Sequence, residues 1–167
     1  MTRRGLATCL AFMTAQIACD PVHQNEIDAL GGEMPGVPHG PLHRPGQLCL
    51  VCHDGALGDP GEFSVAGTVF LRPSDREPAD GARVTLQGSD GSSFAIVANA
   101  AGNFYVEPGR WTPTFPMQTS IIWQGTTVPM HTNVGRDGSC ASCHLDPASS
   151  DSSGHIYVVL DDGGAPP

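Results

Sequence analysis

The middle of the chain alternates. Val65, Gly67, Val69 and Leu71 interleave with Ala66, Thr68 and Phe70, and Arg83-Val84-Thr85-Leu86-Gln87 switches cleanly between polar and apolar. A period of two marks a strand with one face buried. Asp90-Gly91 follows the second run as a hairpin turn signal, and Phe94-Ala95-Ile96-Val97 supplies the returning strand. Ala101-Gly102-Asn103 turns the chain into Phe104-Tyr105-Val106. Ser120-Ile121-Ile122-Trp123 predicts a further strand, closed by Gln124-Gly125 and extended as a hairpin by Thr126-Thr127-Val128. Ile156 to Leu160 predicts a last strand packed on the body. Short strands at this spacing predict a mainly β protein, a small β-sandwich over residues 63–128. No amphipathic helical segment of useful length is visible. The composition agrees, since 21 Gly and 15 Pro in 167 residues are the poorest helix-interior residues. With 40% hydrophobic residues the chain is not of the disordered class.

The ends read differently. Arg3 and Arg4 precede an uncharged apolar run from Leu6 to Ala18, too short to span a membrane as a helix. This predicts an export signal over residues 1–18. The step Ala18-Cys19 resembles the end of a bacterial lipoprotein signal, which implies that Cys19 is acylated. Gln16 stands where those signals usually carry Leu, and ordinary cleavage nearby is the alternative. Residues 19–47 are dominated by Gly, Pro and His and predict a tether that becomes ordered near its end. A flexible tether of ~20 residues reaches roughly 25 Å. The expected location is periplasmic or cell-surface, with a lipid anchor to the membrane.

The formal net charge is -9 and every basic residue is Arg. Removing residues 1–18 takes off Arg3 and Arg4 and no acid. Such a surface repels nucleic acid and anionic lipid, and weakly favours a basic redox partner.

The chemistry lies in the cysteines. Of six Cys, Cys9 lies in the signal and Cys19 at its end, and the other four form Cys49-Leu50-Val51-Cys52-His53 and Cys140-Ala141-Ser142-Cys143-His144. None is left for a structural disulfide. CxxCH is the attachment pattern of haem c. Two thioether bonds fix the vinyl groups, and the His after the second Cys falls beneath the iron as its axial ligand. Two copies predict two covalent haem c groups, with Cys49, Cys52 and His53 for one and Cys140, Cys143 and His144 for the other. They would occupy residues 48–62 and 129–167, loop-rich segments flanking the sandwich. The alternatives are a thioredoxin-like redox pair, and a zinc site needing four ligands drawn from both motifs. No Ser-His-Asp set, phosphate loop or dinucleotide fingerprint is present. Asp75, Glu77, Asp80 and Asp90 show no calcium-loop spacing. Trp111 and Trp123 are read as packing.

Two resemblances follow from these residues. Val65-Ala66-Gly67-Thr68-Val69, the run from Pro78 to Ala82-Arg83-Val84-Thr85-Leu86, and Ala101-Gly102-Asn103-Phe104 resemble the carboxypeptidase regulatory-like family. That implies a small transthyretin-like β-sandwich serving as scaffold or binding module. The family's Thr-Asp step stands here as Asn99-Ala100-Ala101. The paired CxxCH motifs resemble bacterial multihaem cytochromes c. This implies a distal His upstream of each motif: His43, six residues before Cys49, and His131, nine before Cys140. His39, His155 and Met130 are the alternatives, and His23 is read as solvated. The implied role is an electron carrier, not an enzyme, exchanging electrons with redox partner proteins, other cytochromes or copies of itself. The competing readings are a surface binding or assembly module carrying haems, and a small haem peroxidase or reductase.

Overall fold

A computed structural model of the chain describes residues 21–33, 35–37, 39–56 and 61–162. The expected signal segment, the acylation position Cys19 and the tail beyond residue 162 lie outside them. The described residues are mainly β, with seven strands in two sheets. They are β1 (Val65–Phe70), β2 (Arg83–Gln87), β3 (Ser93–Val97), β4 (Asn103–Val106), β5 (Gln118–Trp123), β6 (Thr126–Pro129) and β7 (Ile156–Tyr157). Among the described residues helix is confined to α1 (Pro21–Ala29), the single turn α2 (Cys49–Cys52) and a 3-10 turn at Cys140–Ser142. Among the described residues no helix is long and apolar enough to cross a membrane.

One sheet has the order β3-β2-β5-β6, all antiparallel. Its central strand β2 keeps the alternation seen in sequence. Val84 and Leu86 face inward, while Arg83 and Gln87 are exposed. The β2–β3 hairpin turns at Asp90-Gly91, where Gly91 has φ +83° and Asp90 accepts hydrogen bonds from the Ser92 amide and the Thr114 hydroxyl. The β5–β6 hairpin turns on Gln124 and Gly125, with φ +47° and +83°. A two-residue loop that keeps the strands' twist requires positive φ at both places.

The other sheet has the order β4-β1-β7, with β1 antiparallel to β4 and parallel to β7. Val65 and Val69 of β1 and Phe104 and Val106 of β4 join Val84, Leu86, Met117 and Ile121 in one core between the sheets. Trp111 and Trp123 pack against that core. Every residue of β1 is buried, although an outer strand face normally meets water. The cover comes from the stretch read as a tether. The Asn103 amide donates to the carbonyl of His43 (3.0 Å) and that of Pro41 (3.3 Å), Asn99 donates to Pro41 (2.7 Å), and the Gly46 amide donates to Thr68 Oγ1 (2.8 Å). Backbone groups outside a ladder must find partners elsewhere, and here side chains of β1, of β4 and of the β3–β4 connection supply them. Residues 41–47 are therefore fastened to the body, and α1 occupies 21–29 of the same stretch.

The final strand is shorter than its apolar run. Only Ile156 and Tyr157 pair with β1. Beyond them the amides of Val158 and Val159 both turn to the Leu71 carbonyl, one residue past the end of β1.

Candidate functional site

Both CxxCH motifs fold as one helical turn. In α2 the His53 amide donates to the Cys49 carbonyl (3.0 Å), and in the 3-10 turn the His144 amide donates to the Cys140 carbonyl (3.1 Å). One turn places the first Cys, the second Cys and the His on neighbouring positions of one face. Each imidazole is also oriented. His53 Nδ1 bonds the Gly61 carbonyl (2.7 Å) and His144 Nδ1 bonds the Gly154 carbonyl (3.0 Å). A carbonyl only accepts, so Nδ1 carries the hydrogen and Nε2 keeps its lone pair for a metal. This carbonyl-to-Nδ1 tether is the usual support of a ligating histidine.

The motifs meet at β1. Thr68 and Phe70 point to its outer face, where residues 41–53 lie. The second motif runs along its edge: Ser139 bridges Ala66 in parallel, and the Ala66 amide donates to Gly138 (3.0 Å). Cys140 packs against the core. A Cβ on Gly67 would stand 2.8 Å from the Cys140 Cβ and 2.9 Å from the Phe104 ring, so glycine is what admits the cysteine. Burial pushes the Cys49 thiol up to about 11 and the Cys140 thiol up to about 12, and charge on Cys49 opposes ionisation of Cys140. Neither is the low-pKa thiolate of a reactive redox pair. The cysteines of both motifs are free thiols.

At the first motif four rings follow one another. The centroids of His43 and His53 are 5.9 Å apart, His53 stacks on Phe63 at 4.1 Å, and Phe63 stacks on Tyr105 at 4.5 Å. His43 Nδ1 is held by the Gly40 carbonyl, leaving its Nε2 free as in the motif histidines. At the second motif lies a cavity of about 750 Å³, within the range of cofactor pockets, roughly 300–1,000 Å³. Its inner wall is apolar, with Val84, Phe104 and Ile121, and its outer wall is polar, with Arg136, Asp137 and Ser153. An apolar interior and a polar mouth suit a flat macrocycle with carboxylates on one edge. Thr119 also lines this cavity, but its hydroxyl is turned away into the protein and has no hydrogen-bond partner there. A smaller cavity of about 490 Å³ lies beside Leu48 and is lined also by Arg44, Leu145 and His155. The large cavity, lined by Cys140, Cys143 and His144, has the size and lining to take a haem, whereas the smaller one reaches Leu48 but is not lined by Cys49, Cys52, His53 or His43.

The other histidines separate. His131 and Met130 stand at the wall of the large cavity, with His131 exposed. His155 lines both cavities with its ring stacked on Phe70 at 4.4 Å, and burial lowers its pKa. His39 is 92% exposed and pairs with Glu33, while His23 lies 3.6 Å from Asp54. Among the described residues no group of three or more His, Cys, Asp or Glu is arranged to hold a metal ion. The Phe63–Tyr105 stack and Thr119 went unseen in sequence, for neither carries a spacing signal. Gly67, the one glycine inside an alternating run, did carry one. No protein-family model, curated protein or solved structure matches the chain.

Proposed function

We propose that the chain is an exported diheme c-type cytochrome that carries single electrons. The observation behind this reading is the repeated CxxCH turn whose histidine is tethered through Nδ1 and presents Nε2. Cys49, Cys52 and His53 would hold one haem, and Cys140, Cys143 and His144 the other. His43, whose ring centroid lies 5.9 Å from that of His53, would be the second imidazole to hold the first haem. Bound haem supplies an iron that gains and loses one electron. The chain's own part is to orient the imidazoles through Gly61, Gly154 and Gly40, to seat Cys140 against the core, and to keep both sites on one strand. The fold is read as a transthyretin-like sandwich of the carboxypeptidase regulatory-like kind, with Cys19 as lipid anchor and a basic redox protein as partner.

Export from a host with c-type haem maturation tests this. The intact mass should rise by two haems, and by one in the C49A/C52A and C140A/C143A variants. Potentiometry should show two reversible one-electron steps. Absence of covalent haem refutes the reading.

A further inference from the structure

Most of the stretch read as a tether is folded onto the body. Helix α1 begins at Pro21, two residues after Cys19. Its half-buried positions His23 and Ile27, with Leu30 just past its end, recur at spacings of four and three and so share one face. The helix packs on α2 of the first motif, and both its ends are held. At the start, His23 Nδ1 lies 3.6 Å from the Asp54 carboxylate, one residue beyond the motif. At the end, Arg44 donates to the Gly31 carbonyl (2.9 Å) and to Gln47 Oε1 (2.8 Å). Residues 41–47 are in turn fastened to β1 and β4 through Thr68 and Asn103. The contacts therefore run from α1 to the core.

That leaves little slack for an anchor. A free tether of ~20 residues would reach roughly 25 Å, whereas two residues span at most ~7 Å. A lipid on Cys19 would sit within that short reach of the α1 start, beside Asp54 and the first motif. The far side of the sandwich is the outer face of the four-stranded sheet, where Arg83, Gln87 and Gln118 are exposed. Both sheets stand between that face and α2. Val22, an apolar side chain three residues after Cys19, is largely exposed. Glu26 and Asp28 of α1 are also exposed, and the helix has no Lys or Arg. Charge would not draw this face to an anionic surface, so the covalent anchor is what selects it.

We propose that the protein stands on a lipid bilayer in one orientation, with α1 and the first motif against the surface and the outer face of the four-stranded sheet turned away. This rests on the reading of Cys19 as the lipid anchor. Of the two motifs, the first is then the one beside the bilayer.

The test uses the full chain, exported, acylated and matured with haem, in phosphatidylcholine vesicles. Acyl groups and haems are first counted by intact mass. A benzophenone amino acid placed at Val22, Asn25, Gln87 or Gln118, all exposed, is then photolysed, and lipid adducts are read by mass. Adducts are expected at Val22 and Asn25, with none above the dark background at Gln87 and Gln118. A flexible Gly-Ser insertion of about ten residues between Asp20 and Pro21 adds a reach of roughly 16–19 Å and should abolish the difference. Equal labelling at all four positions without the insertion, or a difference that survives it, overturns the fixed orientation. An acyl-free chain that stays off the vesicles overturns the anchor and this inference with it. Missing haem shows separately in the mass and refutes the cytochrome reading, while the same adducts still decide the orientation.

Discussion

Gly67→Ala is the sharpest probe of how the second motif is seated. The new methyl would stand 2.8 Å from the Cys140 Cβ and 2.9 Å from the Phe104 ring, well inside the normal carbon contact of about 3.5–4.0 Å. Gly67 has ordinary backbone angles, so the substitution also gains about 0.4–1 kcal/mol by restricting the unfolded chain. Overpacking a filled core costs about 1–3 kcal/mol. Phe104 is itself held in the core and cannot move aside freely. The net expectation is a loss of about 1–2 kcal/mol, which for a domain of this size lowers the melting temperature by roughly 2–8 °C. Gly135→Ala is the control, since its Cβ would meet nothing within 4 Å. Thermal unfolding of the three proteins side by side decides the matter. If Gly67→Ala melts with Gly135→Ala, β1 has room for the methyl and the close seating of Cys140 is wrong. If it melts lower and also loses haem at the second motif alone, the strand's glycine serves attachment as well as packing.

Three further outcomes follow from the geometry. Asn103→Ala removes the amide that holds the His43 and Pro41 carbonyls and leaves the buried Thr68 hydroxyl without its acceptor, so stability should fall by about 1–3 kcal/mol. Limited proteolysis should then cut first within 39–47, and an unchanged cleavage pattern would refute the fastening. Ser92, through its side chain and amide, and Thr114 hold the Asp90 carboxyl below the usual range. Its contribution is present above the ordinary carboxylate pKa of about 4 and is lost as the pH falls through the lowered folded value. The stability gap between wild type and Asp90→Asn should therefore close toward strong acid, and a gap constant with pH would count against the turn. In protein made without haem, alkylation at neutral pH should label exposed Cys143 well before Cys140, whose thiol burial raises to about 12; equal rates by peptide mass mapping would contradict the packing of the second motif.

The four-stranded sheet was readable because its strands keep one face in water. Arg83 and Gln87 against Val84 and Leu86 declare a strand without reference to anything else. The turns at Asp90-Gly91 and Gln124-Gly125 were readable because positive φ restricts the residues that serve. Strand order was not, since the pairing of β2 with β5 and of β1 with β7 depends on segments far apart in sequence. The full burial of β1 was hidden too, because its cover is a Gly- and Pro-rich stretch with no periodicity. Helix α1 has no apolar stripe, yet Pro21 opens it and Gly31, with φ +72°, follows it, the usual asymmetry of helix ends. The motif cysteines and histidines were explicit. Their supports were not, because Gly61 and Gly154 act through carbonyls that every residue possesses.

β1 is clasped by the chain from both directions in sequence. Residues 41–47 close its outer face, while 138–140 and 156–157 close an edge. The two motifs are accordingly not two modules on a string but two leaves of one hinge, with this strand as the pin. A break between them would leave neither piece self-sufficient, since each would carry half of the strand's cover. The pairing of the motifs is in this sense architectural: the chain cannot keep one and shed the other without undoing the wall that both share.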